Sequence, residues 1–375
     1  MRFLHTADLH LGKVLNNISL LEDQAFALDQ ICAYAQSENV DGVLISGDVY
    51  QKSAPQAEAM TLFDSFVTRL SRMGKKVFII SGNHDSDRRI SYFSSLLESS
   101  NVYVSPLFEG ALTSIELSDE WGKLYVQLLP FVKPLGVKAL FPNEKIGGYE
   151  DALKVIFAHS PIDTGARNVL LCHQLVTGAE RSDSEDVTVG TVENVSPSLF
   201  DGFDYVALGH IHKPQRAGRE TLRYAGSPLK YSFSEANHQK SVSLVDIGKK
   251  GDVKVTLLPL SPKHEMRLVR GTFEELLALP RSEDYVWATV TDENPVPDAK
   301  QLLYINVFPN LMRYTVENSR ISQTRDVTAE DIGESESPVE LFKEFYRFQR
   351  NNCEPTPEQI ALIEKLWEEI KEEDK

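Results

Sequence analysis

Cysteine is scarce in this chain. Cys32, Cys172 and Cys353 are far apart, odd in number, and never form a CxxC pair. That argues against a disulfide framework and against a thiolate metal site, and it fits a reducing cytoplasm. Long apolar runs are missing too. No stretch approaches the length of a membrane span, and Met1 leads straight into RFLHTADLH, where a signal peptide would place its apolar core. A cytoplasmic protein with no membrane partner is expected. Net positive charge is also absent. The formal balance is −16 at pH 7, at first sight the wrong sign for a nucleic-acid binder. Residues 326–375, however, hold 15 acidic against 6 basic residues, a net of −9 and more than half of the excess. Residues 205–232 carry Lys213, Arg216, Arg219, Arg223 and Lys230 against Glu220 alone. A solvated basic loop fits that patch as well as a phosphate-facing one, so global charge decides nothing.

What is present is the composition of an ordinary globular protein, 42% hydrophobic and 25% charged. At 375 residues it is too long for one typical core, and two or three domains are expected. Short β-rich runs closed by Gly or Asp recur along it. FLHTADLHLG runs as a strand through Thr6 and releases Asp8 and His10. GVLISGDVY releases Asp48, and VFIISGNHD releases Asn83 and His84. NVLLCHQ releases His173, and YVALGHIH releases His210 and His212. Helical patterns at Asp23–Ser37 and Pro55–Arg72 separate the early strands. Alternating strand and helix suggests a mostly parallel sheet, whose ligands gather beyond the carboxyl ends of its strands.

Each motif alone is weak, because a lone His after a strand is usually a structural side chain and GD is common in turns. Together they gather five of the nine histidines with two Asp and one Asn. His5 lies within the first strand and reads as core or as a supporting residue. His159, His238 and His264 lack companions and read as structural or surface residues. Carboxylate, imidazole and amide oxygen without thiolate suit Mn²⁺, Fe²⁺ or Zn²⁺ better than a structural zinc. Seven ligands are too many for one ion and natural for two, with one carboxylate bridging ions roughly 3.5–4 Å apart. Such a pair neutralises phosphate oxygens and activates water for in-line attack on phosphorus.

DLH, GDVY, GNHD, CHQ and GHIH resemble, in order, the metal motifs of the calcineurin-like metallophosphoesterases. HTADLHLGK, YAGSPLKYSFSEANHQKSV and FPNL are similar more narrowly to the bacterial SbcD nuclease family, and the resemblance covers nearly the whole chain. It implies an α/β (α+β) four-layer αββα sandwich with a small α/β capping domain and a C-terminal helical hairpin. KLYVQLLP and SVSLVDI would fall in the second sheet. It places Asp8, His10 and His212 on one ion and Asn83, His173 and His210 on the other, with Asp48 bridging. The ions implied are two divalent metals, Mn²⁺ foremost. His84 would then act on phosphate or the leaving group, with Asp85 orienting its imidazole; a simple turn cap is the other reading of Asp85. Gln51 stands where some relatives have a further histidine, which puts a proton-transfer role at that position in doubt.

The domains so implied are 1–262, the nuclease domain; 263–325, a capping domain that contacts DNA; and 326–375, an acidic linker followed by two helices. On the residues alone, the small middle unit could equally be a dimerisation appendage. Lys213 and Arg216 are candidate DNA contacts. SPVE and TPEQ each combine an N-cap hydroxyl, Pro at N1 and Glu or Gln at N3. The helices they open carry Leu341, Phe342 and Phe345, then Ile363, Leu366, Trp367 and Ile370, at helical spacing. Those stripes could pack on the chain itself, but an acidic linker favours a protein partner. The resemblance implies the SbcC-type SMC-like ATPase, in a heterotetramer with two copies of each subunit, and hence a homodimer of this chain.

The function implied is DNA phosphodiester hydrolysis in repair, by double-strand exonuclease and hairpin or single-strand endonuclease action, in a cytoplasmic, nucleoid-associated complex. A small-substrate metallophosphoesterase, such as a cyclic-nucleotide phosphodiesterase, would use the same ligands but need neither the capping unit nor the helices. A metal-dead scaffold would show substituted ligand positions, and none is seen.

Overall fold

Runs of five to eight residues rich in Val, Ile and Leu form the central strands, and their burial on both faces marks a layered α/β architecture. In this computed structural model residues 1–185, 194–294, 296–317, 338–349 and 354–373 are described. The chain divides into two units, Met1–Arg267 and Leu268–Lys375.

The first unit holds two six-stranded sheets. In one, Arg2–Thr6, Gly42–Ser46, Lys76–Ile80 and Val102–Val104 run parallel, in that order across the sheet. Ser241–Ile247 and Val253–Pro259 extend it antiparallel beyond Arg2–Thr6. In the other, Gly122–Leu129, Arg167–His173, Tyr205–Gly209 and Arg219–Tyr224 are parallel, with Thr113–Asp119 and Gln215–Ala217 antiparallel at the two edges. The inner faces meet through Phe3, Leu44, Phe78, Val126, Leu171 and Val245. Leu21–Ser37 and Ala57–Arg72 cover the outer face of the first sheet, and Pro134–Leu140 and Tyr149–His159 that of the second. This is the expected four-layer sandwich.

The helix Leu21–Ser37 shows why those outer layers form. Ala27, Leu28, Ile31, Cys32 and Ala35 return to one face at helical spacing and are buried. Glu22 and Asp23 complement the dipole of the first turn. Asn39, at φ 46°, takes the left-handed conformation that ends the helix.

SVSLVDI departs from expectation. It lies in the first sheet, between Val253–Pro259 and Arg2–Thr6, and not in the second. The reason is physical. Val242 and Leu244 face one hydrophobic cluster while Val245 and Ile247 face the other. A strand buried on both faces carries no mark of which sheet it joins. KLYVQLLP does lie in the second sheet.

Residues 263–265 are tied to the first unit. Lys263 pairs with Glu22, His264 Nδ1 lies 3.0 Å from Asp23 Oδ1, and Lys230 pairs with Glu265. A three-stranded sheet follows, Met266–Gly271, Tyr285–Val290 and Leu311–Val316, its first strand starting two residues before the second unit. Phe273–Leu277 opens on a Thr272–Glu275 capping box. With Ala299–Asn306 it packs on one sheet face through Leu276, Val286, Leu303 and Phe308. Pro338–Gln349 and Pro357–Glu373 are the two C-terminal helices, and Thr356 and Gln359 form the expected reciprocal cap of the second. Residues 326–336 and the Ser337 cap lie outside the described residues. Among the described residues, no helix is long and apolar enough to cross a membrane.

Candidate metal centre

Parallel packing brings five strand ends to one edge of the sandwich. Arg2–Thr6, Gly42–Ser46 and Lys76–Ile80 of the first sheet, with Arg167–His173 and Tyr205–Gly209 of the second, deliver Asp8, His10, Asp48, Asn83, His84, His173, His210 and His212 to one place. The turns that follow are tight. Asp8, His10, Asp48 and His210 all have positive φ, between 43° and 98°, a conformation non-glycine residues adopt only where the surroundings enforce it. The enforcing contacts are visible. Asp8 N–H donates to the Gly47 carbonyl, His10 N–H to the Asp48 carbonyl, and His210 N–H to Asp8 Oδ1. Gly209 is required by proximity, since a Cβ there would overlap the Ser46 carbonyl.

Side-chain atoms converge in two groups around Asp48. His10 Nε2 lies 3.1 Å from His212 Nε2 and 3.6 Å from Asp48 Oδ2. On the other side, His173 Nε2 lies 3.4 Å from the same Asp48 oxygen. Asn83 Oδ1 stands 3.0 Å from both His173 Nε2 and His210 Nδ1. Among the described residues, three sets bring ligand atoms within 4.8 Å of one another: Asp8, His10 and His212; His10, Asp48 and His84; and Asp8, Asp48 and His173. Asp8, His10, Asp48, His173 and His212 are buried.

These residues fit a pair of cations. Asp8 Oδ2 and His10 Nδ1 are buried with no hydrogen-bond partner among the protein's own groups, which is costly for polar atoms unless a cation meets them. Burial pushes the Asp8 carboxyl up to about 7. Burial also drives His10 far below the ordinary imidazole value and His210 down to about 3, so both are the neutral rings that ligation requires. At Asp48 burial works the other way, but the His173, His10 and His84 rings hold the carboxyl well below the usual range. Burial opposes charge on His173 too, yet Asp48 and Asp8 raise it to about 9. That ring presents Nδ1 to the Ser46 carbonyl at 2.8 Å and Nε2 to Asn83. A divalent ion at Nε2 would replace the second proton.

Asp85 is ringed by backbone amides. Its Oδ2 accepts the N–H groups of Val49 and Gly82, and Oδ1 that of Tyr50. It binds the GD turn to the GN turn, the turn-cap reading, and burial raises its carboxyl to about 6. His84 Nδ1 instead lies 3.3 Å from the Gln51 carbonyl. The backbone at position 51 therefore provides an acceptor to His84 that any side chain there would leave in place.

Lys213 pairs with Glu180, and Arg216 is exposed. Arg219, Arg223 and Lys230 are tied into the fold by Phe200 and Phe203 carbonyls, Glu220 and Glu265. On the C-terminal helices, Leu341, Phe345 and Leu366 are exposed, while Phe342, Ile363 and Trp367 are half-buried. Ile370 lies on the second of these helices.

Sequence reading missed the residues behind His212. Ser184, Glu185, Glu235 and Lys240 surround it. The only signal was SFSEANHQK, which carries a family resemblance but no chemical pattern of its own.

A family model described as calcineurin-like phosphoesterase matches residues 1–214. A second, described as the type 5 capsule protein repressor C-terminal domain, matches 262–350. The SbcD subunit of nuclease SbcCD from Staphylococcus epidermidis is 34% identical over 320 residues, covering 83% of this chain and 84% of that protein. Among solved structures, a dimetal phosphatase from Danio rerio gives a TM-score of 0.43 at 11% identity, over 70% of this chain and 99% of that one. A Thermus thermophilus protein gives 0.39 at 15% identity, over 68% and 98%.

Proposed function

The chain belongs to the calcineurin-like phosphoesterase family and, within it, to the SbcD nuclease subunits; from that premise we propose that it cuts DNA phosphodiesters both as a double-strand exonuclease and as an endonuclease at hairpins and single strands. The observation that carries the reading is the position of Asp48 Oδ2, 3.6 Å from His10 Nε2 and 3.4 Å from His173 Nε2. One carboxylate oxygen between two ligand clusters is what a two-ion phosphoesterase requires. When bound, a pair of divalent ions, Mn²⁺ in this proposal, supplies phosphate charge neutralisation and water activation.

The chain's own residues do the rest. Asp8, His10 and His212 would hold one ion, Asn83, His173 and His210 the other, and Asp48 would serve both. His84 sits at the rim, its side chain 17% exposed, with Nε2 4.0 Å from Asp48 Oδ2. Nδ1 lies 3.3 Å from the Gln51 carbonyl, and in this reading the ring steadies a phosphate oxygen or passes a proton to the leaving oxygen. Gln24 donates to the Leu9 and His10 carbonyls, and Tyr231 to the Leu9 carbonyl, which fixes the DLH turn.

Residues 263–325 act as the capping domain that contacts DNA, with Lys213 and Arg216 as further contacts. The two C-terminal helices dock an SbcC-type SMC-like ATPase in an assembly with two copies of each subunit, in the cytoplasm at the nucleoid. The test compares labelled hairpin DNA with a chromogenic phosphodiester, each with Mn²⁺ and with chelator. Chelator-sensitive hairpin cleavage is the expected result. Turnover of the small diester with intact DNA, even beside the ATPase, would reject the nuclease reading.

A further inference from the structure

His212 differs from the other imidazoles of the centre in what stands behind it. Its Nε2 faces His10 Nε2 across the candidate ion position. Its Nδ1 lies 2.7 Å from Ser184 Oγ and 3.4 Å from Glu235 Oε1, and the Ser184 hydroxyl donates to that same carboxylate. With the serine proton so engaged, the His212 ring must donate from Nδ1, which leaves the Nε2 lone pair aimed into the site. Glu235 is fully buried and is held by the buried Lys240, whose Nζ lies 2.5 Å from Oε2. Lys240 also donates to the His212 carbonyl at 2.8 Å and to Ser227 Oγ at 2.9 Å, while Glu185 Oε1 accepts the His212 N–H at 2.8 Å. Ring, amide and carbonyl of one residue are each held by a buried charged side chain, directly or through Ser184.

The opposing cluster is built differently. The hydrogen-bond acceptor behind His173 Nδ1 is the Ser46 backbone carbonyl at 2.8 Å, with the nearest carboxylate oxygen, Asp8 Oδ1, farther off at 3.9 Å. A carboxylate behind a ligating imidazole fixes its tautomer and raises its basicity, whereas a neutral carbonyl does so less.

We propose that Glu235 is a positioning residue: through Ser184 it fixes the Nδ1–H tautomer and orientation of His212, with Lys240 holding Glu235, so that the Asp8–His10–His212 position binds its ion more tightly than the Asn83–His173–His210 position. The inference rests on the two-ion reading of the centre and adds an order of affinity to it. It also gives residues 180–185 a task, since Ser184 and Glu185 fasten that segment to His212.

The test is Mn²⁺ titration calorimetry of chelator-stripped protein, with ¹⁵N-histidine spectra of the stripped protein as a readout that needs no metal. Wild type is expected to bind two ions with unequal affinity and to show the His212 ring protonated at Nδ1. Glu235→Gln is expected to weaken the tighter ion by about 10–100-fold, the usual consequence of losing such a partner, to leave the weaker ion unchanged, and to mix the His212 tautomers. Because this variant leaves Lys240 buried without its partner, Glu235→Gln with Lys240→Met removes both charges together. The same selective weakening in the double variant supports positioning. Recovery of wild-type affinity in the double variant, equal weakening of both ions, or no change at all would overturn it. A wild type that binds fewer than two ions would instead reject the two-ion reading itself.

Discussion

Asp85 Oδ2 accepts the backbone N–H of Val49 at 3.0 Å, joining residues 36 apart in the chain. The same carboxylate takes the N–H groups of Gly82 and Tyr50. The residue that delivers Asp48 is thereby fastened to the turn that delivers Asn83 and His84. Asp85→Ala leaves three amides without this acceptor, a cost on the order of 3 kcal/mol, and frees the turn that carries Asp48. The expected result is a lower melting temperature together with reduced metal content. If metal and stability are retained and only the rate falls, Asp85 acts on His84 after all.

Asp48→Ala should abolish cleavage and lower occupancy of both ions, because Oδ2 lies beside nitrogens of both clusters. Elemental analysis after dialysis against Mn²⁺ is the measurement. Loss of a single ion per chain would contradict the bridging role.

His84→Ala should leave metal content near that of wild type and lower the cleavage rate by about 10²–10⁴-fold, the usual range for a proton-transfer group. Gln51→Ala should do neither, since the acceptor facing His84 is the backbone carbonyl and not the side chain. Metal lost from His84→Ala, counted beside the rate, would make His84 a ligand.

How much of this was legible beforehand follows from where each signal resides. The ligands were legible because each ends a short apolar strand, so a local pattern marks the strand and its terminal residue together. Asp85 stayed between orienter and turn cap, because its three partners are backbone amides, two of them 35 and 36 residues away. Glu235 and Lys240 were invisible for a related reason. A Glu five residues from a Lys has the sequence of a solvated pair, and only the fold closes it around His212. SVSLVDI lies in the other sheet from the one expected because Val and Leu on both faces suit either one.

Far from the centre, Arg167 is buried and donates to both oxygens of Asp119, which also accepts from the Met1 amino group. The Arg167 hydrogen bonds hold the Asp119 carboxyl well below the usual carboxylate range, against the opposing pull of burial. A depressed carboxylate stabilises the fold above its unfolded pKa of about 3.9 and loses that contribution as pH falls toward its folded value. Asp119→Asn leaves a buried guanidinium without its counter-charge, so it should cost on the order of 3 kcal/mol at pH 7. Thermal melts against pH should show a constant gap from wild type at neutral pH that narrows below about pH 4. A gap that widens in acid would give the pair the opposite role.

The last prediction concerns the C-terminal helices. Pro338–Gln349 and Pro357–Glu373 leave Leu341, Phe345, Leu362 and Leu366 exposed, four large apolar side chains on two short helices. Such exposure is costly in water unless something covers it, and burial of each would contribute roughly 1.5–3 kcal/mol before ordering costs. Deleting residues 336–375 is expected to leave Mn²⁺ uptake by the strand-end ligands intact, because all of them lie within Met1–Arg267. The same deletion should remove association with the SMC-like ATPase. Phe345→Glu with Leu366→Glu is the milder form, since charge at two exposed positions spoils the apolar surface without opening a core. Pull-down against the ATPase beside a melt of the isolated chain separates the outcomes. Binding that persists, with a melt that collapses, would make these helices part of the chain's own core and leave the ATPase to dock elsewhere.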